Sequence, residues 1–457
     1  MAAAPLGWLG IVRLGLVKTA LGAIVVLTTT TINRVMVVEL ALPVMLPGAL
    51  VAFHYALQVL RPQIGHGSDV GGRRTPWIIG GMAVLAAGGV GAAIATAWMS
   101  TNLWAGIALA VVAFGLVGLG VAGAGTSLLV LLALRVAPRR RPAAATIVWI
   151  MMIAGFAIAP TVAGRLLDPY SPSRLVAVTA GVSGIAFLLA VLAVWGVEGR
   201  APATAAPGPQ PATRAAKKSS FREAFAEVWR EPHARLFAIF IAVSMLAYSG
   251  QELILEPFAG TVFGLTLGAT TSLAGLQHGG SLLGMVLIAV AGSVIGGEHF
   301  GSMRGWTIAG CAASAAALAG MATAGAIGPA WPLQASFFGL GVANGIYAAA
   351  AVASMMQFAA AGRETRGGVR MGLFGASQAL AFGAGGFIGT VSVDLARSLL
   401  GSAPAAYGIV FASQAVLFLL AAWIAARMGA WAAGAVPAAF STVAPGDGAG
   451  ALPSGRG

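Results

Sequence analysis

Two histidines and a handful of amides and charges stand inside otherwise apolar stretches of this 457-residue chain, and these are the side chains equipped for chemistry. His54 is followed at helical spacing by Gln58 and Arg61, a polar ladder along one side of an apolar run. Gln277 and His278 interrupt another run, and Asn344 a third. Asn33, Arg34 and Glu39 cluster near one span end; Gln251, Glu252 and Glu256 near another, and Asp394 near a third. Polar groups at membrane depth are costly and mark functional sites. Neutral imidazole ligates metals, whereas a lone buried histidine can equally be a hydrogen-bonded packing residue, and both readings stay open for His54 and His278. The sequence offers no nucleophile–base pair, no phosphate-cradling loop and no Cys/His metal spacing. Cys311 is the single cysteine, so no internal disulfide forms. Binding is therefore expected rather than catalysis.

The elements that must position these groups are membrane helices. The chain is 58% hydrophobic and 9% charged with a mean hydropathy of +0.90, whereas soluble domains carry about 25% charged residues. A spanning helix needs roughly 20 apolar residues. Twelve such spans are expected, at 14–36, 43–64, 76–98, 104–134, 143–164 and 174–197, then 234–257, 269–295, 305–326, 331–361, 371–394 and 405–428. The fold class is thus an all-α membrane protein of two six-helix lobes, 1–197 and 234–428. A Pro/Ala linker opens the 198–233 segment, and its Phe221, Phe225, Val228 and Trp229 form an apolar stripe expected to lie on the bilayer surface. The Gly/Ala/Pro-rich tail 429–457 is expected to be disordered.

The net charge of +13 does not mean nucleic acid, because the basic residues sit in short loops between spans. With the N-terminus inside, only Arg34, Arg165, Arg174 and Arg397 of the 26 Lys and Arg residues fall outside. Both ends are expected to be cytoplasmic, in a bacterial inner membrane. Glycines crowd span 4 (Gly115, Gly118, Gly120, Gly123, Gly125) and span 11, where they permit close helix packing or a flat wall for a planar ligand. Arg34 and Glu256 lie equally far along spans 1 and 7, so a gate-closing ion pair is expected between Arg34 and Glu256, or Glu252 one turn earlier.

The loop between spans 2 and 3 reads Gly65-x-x-Ser68-Asp69-x-x-Gly72-Arg73-Arg74 and resembles the loop 2–3 signature of the major facilitator superfamily. A narrower resemblance rests on Thr-Ile-Asn-Arg-Val-Met-Val-Val-Glu-Leu-Ala-Leu-Pro (31–43), Phe-His-Tyr-Ala-Leu-Gln (53–58), Gly-Gly-Arg-Arg-Thr-Pro-Trp-Ile (71–78) and Gly-Gln-Glu-Leu-Ile-Leu-Glu-Pro-Phe (250–258). These motifs look like those of the PucC/LhaA family, the bacteriochlorophyll-delivery branch of that superfamily. The resemblance implies a carrier-like fold that binds bacteriochlorophyll or a late precursor and hands it to light-harvesting polypeptides, alongside the pigment-synthesis machinery. It also makes His54 and His278 candidate axial ligands for a chlorin magnesium, with Gln58, Gln277 and Asn344 as hydrogen-bonding partners. A conventional small-molecule transporter and a pigment-free chaperone for light-harvesting helices are the alternatives.

The charge asymmetry gives a first testable expectation. A reporter fused after Gly429 should be active only in the cytoplasm, and periplasmic activity would reverse the assigned orientation.

Overall fold

The computed structural model describes residues 6–60, 73–137, 140–198, 229–294, 303–360 and 367–428. Among these there is no strand. Twelve helical segments stand where the sequence places twelve spans. The first six are α1 (Trp8–Glu39), α2 (Met45–Leu57), α3 (Thr75–Met99), α4 (Leu103–Arg135), α5 (Arg141–Leu167) and α6 (Pro172–Val194). The second six are α7 (Pro232–Glu252, resuming as Leu255–Phe263), α8 (Leu267–Val294), α9 (Met303–Ile327), α10 (Leu333–Ala360), α11 (Gly367–Leu400) and α12 (Ala403–Arg427). Ten are long and apolar enough to cross a bilayer. The other two are α2, which is the shorter apolar helix, and α11. The linker, residues 61–72 and the tail lie outside the described residues, and so does most of the expected surface helix.

Each lobe has its own core. In the first, Leu14, Leu21, Met82, Leu128 and Ala190 pack together; in the second, Phe237, Leu318, Phe337 and Phe418 do so. A third cluster straddles the lobes, with Leu253 and Leu267 buried among Leu27, Met36, Leu50 and Leu167. Leu, Ile and Trp side chains such as Trp104, Leu188 and Leu419 point outward, as a bilayer solvent allows.

The lobes meet chiefly through α5 against α8 and α2 against α11. Both contacts are built to one plan. The carboxylate of Asp394, on α11, accepts the backbone N–H groups of Val44 (3.0 Å) and Met45 (2.7 Å) where α2 begins. Asp168, just past α5, accepts the N–H of Gly268 (2.9 Å) and the hydroxyl of Thr266 where α8 begins. A helix start offers unpaired N–H groups and the positive end of its dipole, so each acid closes the other lobe's helix. One turn deeper, a Cβ on Gly48 would stand 2.0 Å from the Thr390 hydroxyl, and one on Gly164 would stand 2.4 Å from that of Ser272. Glycine from the first lobe thus faces a hydroxyl from the second in both pairs, and neither glycine admits a side chain without separating the helices.

At the opposite end of the bundle, Glu198 repeats the device within one lobe. Its carboxylate accepts the N–H groups of Arg74 and Thr75, the latter at 2.9 Å, where α3 begins. Burial would raise the Glu198 carboxyl, but these N–H donors, the Thr75 hydroxyl and the Arg73 charge hold it below the usual carboxylate range.

Two further features shape the lobe junction. The helix α1 widens into π-helical turns at Leu27–Thr31 and Val35–Glu39. The helix α7 breaks at Leu253-Ile254, and the Asn33 side chain donates to the freed Leu253 carbonyl at 2.7 Å.

Replacing Asp168 or Asp394 by Ala should each lower stability by about 1 kcal/mol, the usual cost of losing a helix cap, and Asn should recover part of it. Reaction of the buried Cys311 thiol with a fluorogenic maleimide during heating in detergent reads this loss directly.

Candidate functional site between the lobes

The expected pair between Arg34 and Glu256 is not formed. Arg34 pairs instead with Glu39 and donates to the Leu265 carbonyl of the second lobe at 2.8 Å. The reason is local geometry. A π-helical turn bonds i to i+5, so Glu39, five residues after Arg34, comes back over it, which a regular α-helix would not allow. Equal depth along two helices fixed how far in the side chains lie and left their facing undetermined. Glu256 is buried beside Thr30 and Thr271 with Arg34 close by, and neither of its oxygens has a hydrogen-bond partner. Glu252 lies beside the Tyr248 hydroxyl.

The polar ladder on α2 points inward. His54 is 1% exposed, and the Gln58 amide lies 3.1 Å from its Nε2. An aromatic chain then crosses from one lobe to the other. The His54 ring meets Tyr55 edge-on at 4.7 Å, Tyr55 meets Phe382 of α11 at 5.1 Å, and Phe382 meets Tyr248 of α7 at 5.9 Å. Tyr248 reaches Tyr347 at 6.5 Å, whose hydroxyl donates to Ser244 at 2.6 Å. Tyr55, Phe382, Tyr248 and Glu252 are all half-buried.

His278 occupies the matching place in the other helix pair. It lies ten residues past the capped Gly268, as His54 lies ten past the capped Val44. Its ring packs on Phe156 of α5 at 5.3 Å, and Phe156 precedes Asp168 by the interval that separates Phe382 from Asp394. The two histidines are therefore internal equivalents, each beside an aromatic ring from the opposite lobe or its neighbour. Asn344 is placed elsewhere, inside the second lobe, where its Oδ1 accepts the Ser314 hydroxyl at 2.9 Å. Gln277 is buried with its amide nitrogen unbonded, and its backbone carbonyl lies against Gly341 of α10.

The candidates thus lie in separate places. His54, Gln58 and Glu252 join one aromatic seam, whereas His278 sits at the α5–α8 contact, Gln277 against α10 and Asn344 apart from all of these. Gly65, Ser68, Asp69 and Gly72 of the loop signature, and Arg61, lie outside the described residues; Arg73 is exposed and Arg74 is anchored through its backbone to Glu198. Sequence reasoning passed over Tyr55, Tyr248, Phe382 and Asp168. The common interval from Phe156 to Asp168 and from Phe382 to Asp394 was the signal that could have found them.

A family described as "PUCC protein" matches residues 31–444. The chain belongs to the PucC family. It is 49% identical to the "Bacteriochlorophyll synthase 44.5 kDa chain" of Rhodobacter capsulatus over 92% of this chain and 95% of that protein. It is 30% identical to "Protein PucC" of the same organism over 90% of each. Among solved structures, the peptide transporter POT in complex with sulfate aligns with a TM-score of 0.66 at 16% identity, covering 94% of this chain and 98% of that one. A bacterial homologue of the lysosomal transporter Spinster, inward-facing and occupied, aligns at 0.65 and 14%, covering 92% and 96%. At such identities these two show the fold, which is that of the major facilitator superfamily.

This PucC-family chain also carries a concavity on its outer surface. A groove of about 460 Å³ runs between α3 and α4, floored by Gly81 and Gly123 and walled by Trp77 and Leu119. Of the α4 glycines that the sequence singled out, Gly123 lines it, while Gly115 and Gly118 pack on α2 and Gly120 on α3.

The observed pairing makes a quantitative prediction. A double-mutant cycle of Arg34→Met with Glu39→Gln should give a coupling energy of about 1–3 kcal/mol, and the cycle with Glu256→Gln close to none. Denaturant unfolding followed at Cys311 measures both.

Proposed function

We propose that the chain binds bacteriochlorophyll, or a late precursor, between its lobes and passes it to light-harvesting polypeptides, acting as a carrier and not as a catalyst. The single observation that carries this is the inter-lobe aromatic seam of Tyr55, Phe382 and Tyr248 beside His54 and Gln58, in a chain 49% identical to a protein named for bacteriochlorophyll. A chlorin needs flat apolar walls, an axial nitrogen and a donor for its ring carbonyls. Aromatic faces supply the first, the His54 imidazole the second, and the Gln58 amide the third. His278, with Gln277, is the equivalent candidate in the other half, and Asn344 a more remote one. Both termini are taken as cytoplasmic and the membrane as the bacterial inner membrane, in line with the loop charges.

A second reading, transport of a small molecule, is favoured by the fold shared with the peptide transporter. The separation is direct. Protein purified in detergent from a phototrophic host should carry a bacteriochlorin absorption spectrum, and a colourless protein would favour the transporter. A colourless protein that still captures light-harvesting helices when pigment synthesis is blocked would favour a pigment-free chaperone.

If His54 is the axial ligand, His54→Leu should lower bound pigment several-fold with unfolding temperature unchanged. His54→Gln, which keeps hydrogen bonding, should lose nearly as much. Wild-type pigment in a well-folded His54→Leu protein would remove His54 from the site.

A further inference from the structure

We propose that Glu256 is a proton-binding site, a neutral carboxylic acid while Arg34 is held by Glu39, whose ionised form takes Arg34 for itself. Glu256 is 1% exposed, and neither of its oxygens has a hydrogen-bond partner. A carboxylate ion buried without a partner is far more costly than the neutral acid. The surrounding hydroxyls suit the acid form. Thr30 already donates its hydrogen to the Val26 carbonyl at 2.9 Å, so towards Glu256 it can only accept. Thr271, across the seam on α8, has a buried hydroxyl without a partner and can serve in either sense.

The charged surroundings are few. The segment Leu255–Phe263 packs against the end of α1, α8, α12 and residues 328–330. From α1 come Arg34 and, behind it, Glu39, with Tyr170 near both. The helix α8 brings only Thr271, its sole titratable group being His278, about two turns further along. The one charge on α12, Arg427, lies at its far end, and residues 328–330 carry none. On its own helix, Glu252 stands one turn earlier, beside Tyr248. A metal cation is a poor occupant, since Arg34 already places a positive charge there and the described residues hold no group of three or more His, Cys, Asp or Glu.

Ionisation then has one balanced course. Glu256 releases a proton to water and becomes an anion, Arg34 turns from Glu39 to Glu256, and Glu39, 28% exposed, is left as a hydrated carboxylate. Arg34 gives up the Leu265 carbonyl in turning, so one cross-lobe contact, to Leu265, is exchanged for another, to Glu256.

Infrared spectroscopy of the pigment-free, detergent-solubilised full chain tests this without reference to pigment binding. At neutral pH the wild type should show a protonated-carboxyl C=O band that shifts in D2O. Glu256→Gln should abolish that band, and Glu252→Gln should leave it. Glu39→Gln, which frees Arg34 to pair with Glu256, should abolish it as well. Should Glu256→Gln fail to fold, Thr271→Val decides, because loss of the facing hydroxyl must shift a band that belongs to Glu256. No band in the wild type, a band that survives Glu256→Gln or Glu39→Gln, or one unmoved by Thr271→Val would each overturn the proposal.

Discussion

Two aspartates that close the helix starts of the opposite lobe are the constraint on which the arrangement of this molecule rests. Asp394 of α11, capping α2, and Asp168 after α5, capping α8, turn unpaired N–H groups, costly at membrane depth, into bonds that only the assembled lobes can make. Because lipid is as apolar as leucine, helix association here needs close packing and hydrogen bonds rather than hydrophobic force. The caps supply the bonds, and the facing glycine and hydroxyl pairs below them, Gly48 with Thr390 and Gly164 with Ser272, supply the closeness.

The two candidate histidines lie further along these same two helix pairs. Ten residues beyond the capped amides stand His54 and His278, each against an aromatic ring near the lobe boundary. The halves have diverged around this shared frame. The first keeps Gln58 and Tyr55 beside its histidine and opens onto Phe382 and Tyr248; the second buries its histidine against Phe156. Internal repetition thus fixed the positions, and substitution around them made one half the better candidate for a ligand.

The junction of α1 and α7 adds a second layer of control. π-Helical widening in α1 and a break in α7 both free backbone groups and redirect side chains, and polar residues have gathered to use them. Asn33 bonds the broken carbonyl, Arg34 pairs with Glu39 and bonds Leu265, and Glu256 is left buried with Thr30 and Thr271. An irregular backbone at membrane depth is tolerated where it is covered by protein, and here the cover is the other lobe.

The number of spans, the two lobes, the family and the inward-facing ladder from His54 to Gln58 were legible in the sequence, because apolar length, polar cost and helical period act locally along the chain. The depth of Arg34 and Glu256 was legible too, since rise per residue is fixed. Their partners were not. Which way a side chain faces depends on the phase of its helix, and one π-helical turn shifts that phase without leaving a mark in composition. The meeting of Tyr55, Phe382 and Tyr248 joins three helices distant in the chain, as does the capping of α2 by Asp394. Only the packing of one lobe on the other could decide those contacts, because each requires a backbone group or ring that the second lobe alone provides.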